Sequence, residues 1–388
     1  MRDMAAAVNA PLERETPALF QALSPLGKRV FFAAGIPAQA AAGSPVEGMP
    51  EVRQRWREWQ RRSAPAGAPS SLPLVTAGLS HGLSLLADLF GGEGKAVAVP
   101  QPFWGNYRQA FAVRTGAKVL TAPAYVDGRY NPRAVADALA DLPEGEPAVA
   151  ILNIPSNPGG YSPDPEERRA TVESLLGVAA RRPLVLICDD AYAGLVFEPD
   201  IPRDSLFWEL AGAHPNLVAV KVDGATKEFS FFGGRVGFLT FAVEPESEAA
   251  RSLESKVKTL VRSVIGSPVA TSQEILLQAL RKEGVEAEIE AVRQLLEGRY
   301  RALKGALAGA DPGLMATLPF NSGCFALVEL PERLGLDSET VRRHLLDRHD
   351  TGLISIAPRY LRIAHCSVDE GALPELVRRM EKGIAELA

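Results

Sequence analysis

Residues 223–238 read D-G-A-T-K-E-F-S-F-F-G-G-R-V-G-F. Lys227 sits among small residues, and Arg235 follows eight positions later across an aromatic and glycine-rich turn. An amine kept partly neutral by its surroundings condenses with an aldehyde, and a guanidinium grips a phosphate through two parallel hydrogen bonds. The pair therefore suits a covalently held cofactor that carries a phosphate. A lysine and an arginine at this spacing are also commonly two solvated surface charges, so the remaining contacts must be sought along the chain.

Short apolar runs alternate with amphipathic segments from about residue 75 to 238, which predicts an α/β architecture with a largely parallel sheet. Strands are expected at 96–99, 118–120, 148–152, 184–188, 217–220 and 236–240, with helices between them. After residue 241 the pattern turns to long helices at 246–262, 267–281 and 285–307. Strands at 324–328 and 360–363 follow, then a final helix capped by Asp369 with Leu373, Val377, Met380 and Ile384 on its apolar face. This is a large sheet domain followed by a smaller α+β domain.

Ligands of open parallel sheets gather at the carboxyl ends of the strands, so the polar residues after each run are the candidates for chemistry. Past residue 75, Gly78, Leu79 and Ser80 open a helix whose exposed amides and dipole favour a phosphate by roughly 0.3–2 kcal/mol; an ordinary glycine-containing cap fits the same residues. Past residue 99 come Phe103, Trp104 and Tyr107, where a flat ring can stack on Trp104 unless all three are core. Past residue 152, N-I-P-S-N-P-G-G-Y offers Asn157 as a hydrogen-bonding group. Past residue 187, Asp189 and Asp190 end an apolar strand, and burying them demands a cation nearby.

Composition narrows the function. A chain of 388 residues exceeds one core of ordinary size. A formal net charge of -5 and the lack of a dense Lys/Arg block argue against nucleic acid, and Arg53, Arg55, Arg57, Arg61 and Arg62 read as a mixed-charge helix. No apolar stretch reaches the about 18 residues needed to span a bilayer, and the first ten residues do not resemble a signal peptide. Three scattered cysteines build neither a disulfide framework nor a zinc motif, which points to a reducing cytoplasm. The five histidines are equally scattered, and His344 and His349 read as surface-helix residues, so no metal is expected.

Together these stretches resemble the fold-type I pyridoxal-phosphate enzymes, specifically the class I/II aminotransferases, from about residue 35 onward and with the motifs in the family's order. The resemblance implies a mostly parallel seven-stranded sheet flanked by helices, with 46–265 as the cofactor-binding domain and 1–45 with 266–388 as the small domain. It also implies roles. Lys227 resembles the Schiff-base lysine that shuttles the proton, Asp189 the partner of the pyridine nitrogen, and Asn157 with Tyr192 the pair on the ring's 3-oxygen. Trp104 takes the ring-stacking position, while Gly78, Leu79, Ser80 and Arg235 take the phosphate positions. Arg362, in Y-L-R-I-A-H, matches the clamp on the substrate carboxylate, and Gly35, in A-A-G-I-P, a backbone contact.

Three departures stand out. Gly224 and Ala225 replace the usual hydroxyl residues before the lysine, leaving Thr226. Gly159 replaces a threonine. The connection from Gly35 to Gly48 is short and lacks a tyrosine that in relatives reaches the partner's phosphate. The implied activity is transfer of an amino group between an α-amino acid and a 2-oxo acid by ping-pong half-reactions, in a homodimer with sites at the subunit interface. The same residues fit a lyase or decarboxylase, since the ring stabilises whichever carbanion forms. A cofactor-binding sensor would need a DNA-binding module, and no basic helix-turn-helix is expected from these residues.

Overall fold

The computed structural model describes residues 43–356 and 358–388; Gly35 and most of the short connection that follows it lie outside them. In chain order the elements begin with α1 (Pro50–Arg61), β1 (Leu74–Thr76), α2 (Leu79–Phe90), β2 (Ala96–Gln101), β3 (Lys118–Pro123) and a small hairpin, β4 (Tyr125–Val126) and β5 (Arg129–Tyr130). Then come α3 (Ala134–Ala138), β6 (Ala148–Asn153), α4 (Pro165–Ala179), β7 (Leu184–Asp189), α5 (Phe207–Leu210), β8 (Leu217–Gly224), the single turn α6 (Ala225–Glu228) and β9 (Gly237–Phe241). The rest is α7 (Glu248–Val264), α8 (Ala270–Arg281), α9 (Val285–Ala308), β10 (Ala316–Thr317), β11 (Ala326–Glu329), α10 (Ser338–His349), β12 (Ile354–Ile356), β13 (Tyr360–Ile363) and α11 (Leu373–Ala385).

A seven-stranded sheet runs in the order β1-β9-β8-β7-β6-β2-β3. Parallel pairing joins β3 to β2, β2 to β6 and β6 to β7, and the edge strand β1 is antiparallel to β9. The mostly parallel α/β fold expected from the sequence is thus present. β6 (AVAILN) and β7 (LVLICD) are almost wholly buried and carry continuous apolar runs, as strands covered on both faces must. Their register sets Asn153 beside Asp189 at the carboxyl ends.

The described residues divide into two units, 43–89 with 222–285, and 90–221 with 286–388. In the first, Trp56 of α1 stacks on Phe238 of β9 at 4.4 Å, amid Val52, Val75, Val236, Leu276 and Leu277. In the second, α9, α10 and α11 cover the four-stranded sheet β10-β11-β13-β12, and Tyr300, Val328, Leu345, Leu361 and Met380 lie in its core.

Two details differ from expectation. Asp369 does not cap the last helix: a 3-10 turn, Glu370–Ala372, intervenes, Asp369 makes no capping bond, and Arg299 reaches its carboxylate instead. The arginine-rich helix α1 is only partly a solvated face, because Arg53 is buried and donates to the Pro73 carbonyl and to Glu254.

Candidate active site

The site residues form two groups, each within one unit. In the first, Lys227 rides on α6, which begins where β8 ends. Both flanks of that turn are tied to α1: Trp56 Nε1 and Gln60 Nε2 donate to the buried Asp223 carboxylate at 3.0 and 2.9 Å, and Trp59 Nε1 donates to Glu228 at 2.8 Å. Gly224 is extended, so its backbone suits any residue. A Cβ there, however, would lie 2.5 Å from the Val236 carbonyl oxygen. The missing hydroxyl noted at this position is therefore a consequence of close strand packing.

Arg235 occupies the left-handed region (φ 51, ψ 49) and lies against Gly78, where a Cβ would come within 2.6 Å of its guanidinium. Gly78 itself has φ +83, a second reason for glycine. The Thr76 hydroxyl donates to the Gly78 carbonyl at 3.0 Å, fixing the entry to α2, whose first residues are Leu79 and Ser80. The structure thus brings Arg235 to the amino end of a helix, where the unpaired amides of the first turn point outward. Phe232 sits beside both cations, 4.9 Å from Lys227 Nζ and 5.2 Å from Arg235 Cζ.

In the second unit Asp189, at the end of β7, is 2% exposed. Tyr107 Oη donates to its Oδ2 at 2.6 Å and the Ala191 amide to its Oδ1 at 3.1 Å. Burial outweighs these bonds and pushes its pKa up to about 6. The cation that the two acids demanded is Lys221 of β8, but it pairs with Asp190, which also accepts from Ser205 at 2.6 Å. Lys221 is thereby accounted for as a buried ion-pair partner.

Asn153 and Asn157 are both engaged. Asn153 donates to the Asp189 carbonyl at 2.8 Å and accepts the Asn157 amide at 2.6 Å. The Asn157 side chain then bridges two groups, donating from Nδ2 to Tyr192 Oη at 3.4 Å and accepting at Oδ1 from Arg362 Nη1 at 3.0 Å. Arg362, on β13, has its guanidinium carbon 4.2 Å from the Phe325 ring centroid, and Phe325 meets Tyr192 edge-on at 5.6 Å. Burial raises the Tyr192 pKa and lowers that of Arg362. Trp104 is half-buried and edge-on to Tyr107 at 5.7 Å. The threonine lost at Gly159 also has a steric reason: a Cβ would come within 2.6 Å of Tyr125 Oη.

Three contributors were not singled out from the sequence. Tyr107 read only as one of three loop aromatics, because nothing in the sequence ties it to an acid 82 positions away. Asn153 reads as a turn residue, and Phe325 as core. Gly35 cannot be placed, since it lies outside the described residues.

Residues 8–380 match the family model described as aminotransferase class I and II. The chain belongs to that family. Among similar proteins, a 2-aminoadipate transaminase of Thermus thermophilus is 29% identical over 360 residues, covering 89% of this chain and 81% of that protein. An arginine–pyruvate transaminase of Pseudomonas aeruginosa is 27% identical over 310 residues, covering 80% and 72%. Among solved structures, an aminotransferase of Anaerococcus prevotii aligns with a TM-score of 0.79 at 19% identity over 91% of this chain and 85% of that one. An α-aminoadipate aminotransferase of T. thermophilus, complexed with N-(5'-phosphopyridoxyl)-L-leucine, gives 0.74 at 24% identity over 92% and 86%. This protein is an aminotransferase, and its cofactor is pyridoxal phosphate.

The residues fit that cofactor. Thr226 Oγ1 and Arg362 Nε are buried and have no hydrogen-bond partner among the described residues, as expected of groups reserved for a phosphate and a carboxylate. The Asp189 carboxylate has neutral donors but no ion-pair partner of its own among the described residues, which suits a protonated ring nitrogen. No described helix is long and apolar enough to cross a membrane.

Proposed function

We propose that Lys227 is the covalent and proton-transferring residue of this aminotransferase, acting on an α-amino acid and a 2-oxo acid in alternating half-reactions. Bound pyridoxal phosphate supplies an aldehyde that takes up amines and a ring that accepts the electrons left when a substrate Cα loses its proton. The chain's own residues do the rest. Arg235, Thr226 and the first amides of α2, at Leu79 and Ser80, hold the phosphate; Asp189 keeps the ring nitrogen protonated, and Trp104 covers the ring. Tyr192 and Asn157 donate to the ring's oxygen. Arg362 grips the substrate carboxylate, so that the Cα–H bond is oriented and Lys227 Nζ takes its proton.

The observation that carries this reading is the bridge through Asn157. One amide side chain contacts both Tyr192 and Arg362, so a ring-oxygen ligand and a carboxylate clamp are held in fixed relation, with Asn153 linking the same loop to Asp189. Gly35 is proposed as a backbone contact to the substrate on the resemblance alone. We also propose that residues 46–265 work as the cofactor-binding domain. Homodimerisation is supported by an exposed apolar run at Val264, Ile265 and Val269, and a cytoplasmic home by three free cysteines.

The test is spectroscopic and chemical. Purified protein is expected to absorb in the visible through its bound cofactor, and Lys227→Ala to lose that band together with all transfer. An undiminished band in the variant refutes the role of Lys227. Incubation with an amino acid and a 2-oxo acid is expected to yield a second amino acid, which a lyase does not form. The donors named for the relatives, 2-aminoadipate and arginine, head the substrate screen.

A further inference from the structure

We propose that His344, His349 and Glu386 form a binding site for a divalent transition metal of the zinc class, tying the ends of α10 and α11 together. The Nε2 atoms of His344 and His349 lie 2.8 and 2.9 Å from the same Glu386 oxygen, Oε2, and the ligand atoms all fall within 4.8 Å of one another. Two imidazoles and a carboxylate are a ligand set that zinc favours over magnesium or calcium. Donors about 2 Å from a tetrahedral ion stand about 3.3 Å apart, a spacing that each Nε2 already approaches with the Glu386 oxygen, at 2.8 and 2.9 Å.

Helical spacing does not produce this cluster. Positions five apart on an α-helix point about 140° away from each other. The rings nevertheless approach to 5.5 Å, because His349 is the last residue of α10 and its ring turns onto α11. Gly383 makes the room: a Cβ there would lie 3.2 Å from His349 Nε2 and 3.0 Å from its Cδ2. The His349 carbonyl accepts from Thr351 Oγ1 at 2.8 Å and Arg379 Nη1 at 3.1 Å, which fixes the residue from behind. Arg379 is itself paired with Glu375 at 3.0 Å.

The field favours a cation. His349 ends α10 and Glu386 is the C-cap of α11, so both helices direct their partly negative carbonyl ends at the cluster. The His344 and His349 side chains are 20% and 8% exposed and that of Glu386 is 40%, which leaves a face open for water to complete the coordination. Each imidazole binds the ion through the Nε2 lone pair with its proton on Nδ1, so binding takes the tautomer opposite to one that donates from Nε2 to the carboxylate.

The experiment is a titration of holoenzyme, previously dialysed against EDTA and then buffer, with zinc chloride, read by calorimetry and by thermal melting. One equivalent is expected to bind and to raise the Tm, with magnesium chloride doing neither. His344→Gln, a change at a partly exposed position, and Glu386→Gln are each expected to weaken zinc binding at least about tenfold and to remove the rise in Tm. His349→Gln is expected to do the same. Visible absorbance and transfer activity stay at wild-type levels in all three. Absence of saturable zinc binding, or binding that His344→Gln leaves unchanged, overturns the proposal.

Discussion

The phenolic hydroxyl of Tyr107 donates a 2.6 Å hydrogen bond to Oδ2 of Asp189, joining the first turn of the helical segment after β2 to the end of β7. Both groups are buried, and burial raises the pKa of each. A neutral donor thus steadies a carboxylate in a dry site until a cation arrives. Hydrogen bonds to charged groups contribute about 1.5–3 kcal/mol. Tyr107→Phe is therefore expected to lower cofactor affinity or kcat by about ten- to hundredfold, measured by equilibrium dialysis and steady-state rates. Wild-type values for both would show that the bond has no part in holding the Asp189 charge.

The raised Asp189 pKa also sets a pH dependence for the protein without cofactor. A carboxyl whose folded value, about 6, exceeds its ordinary 3.8 binds protons more tightly when folded. Its contribution to stability therefore falls as pH rises through that window, and the loss is complete above it. In denaturant unfolding, Asp189→Asn is expected to gain stability relative to wild type between about pH 4 and 6 and to hold a constant difference beyond. A difference independent of pH contradicts the assignment.

His365 works in the opposite direction. It is fully buried against Phe197 and Tyr300, neither ring nitrogen has a hydrogen-bond partner among the described residues, and burial lowers its pKa from 6.5 to about 4. The unfolded chain then binds the extra proton, so stability is lost as pH drops from 6.5 toward 4. His365→Leu is expected to flatten this acid limb by on the order of 3 kcal/mol at its lower end. Parallel acid limbs for variant and wild type would count against a buried neutral imidazole.

Gly78 and Gly67 provide a controlled comparison. Both have positive φ, +83 and +79, but a Cβ at Gly78 meets the Arg235 guanidinium at 2.6 Å whereas one at Gly67 meets nothing within 4 Å. Alanine at either position costs about 1 kcal/mol of backbone strain. Only Gly78→Ala is expected to displace Arg235 and speed loss of pyridoxal phosphate during gel filtration. Equal retention by the two variants would separate Arg235 from the phosphate.

Much of this protein was legible in the sequence because its signals are local. Local patterning located the strands of the parallel sheet and the long helices after it, since a buried strand's apolar run and a helix's apolar stripe are both written in nearby residues of one element. The candidate site positions were drawn from equally local signals: Asn157, Asp189 and Arg362 stand at or beside strand ends, and Lys227 follows a strand within a small-residue stretch. Capping was less legible. Asp369 has the right side chain for an N-cap, a bond typically worth about 1 kcal/mol, yet a 3-10 turn intervenes and its carboxylate meets Arg299 instead.

The sequence by itself determined the fold class, the family and the residue types available for chemistry. Tertiary structure decided the partners. It gave Lys221 to Asp190 rather than Asp189, set Tyr107 on Asp189 and Phe325 under Arg362, and made Gly224 a steric necessity beside the Val236 carbonyl. It also brought His344 and His349 to one Glu386 oxygen. Each of these relations joins residues on separate elements or at spacings no helix face unites. Pairing across such distances depends on how elements pack, and packing is fixed only when the whole chain buries its apolar surface at once.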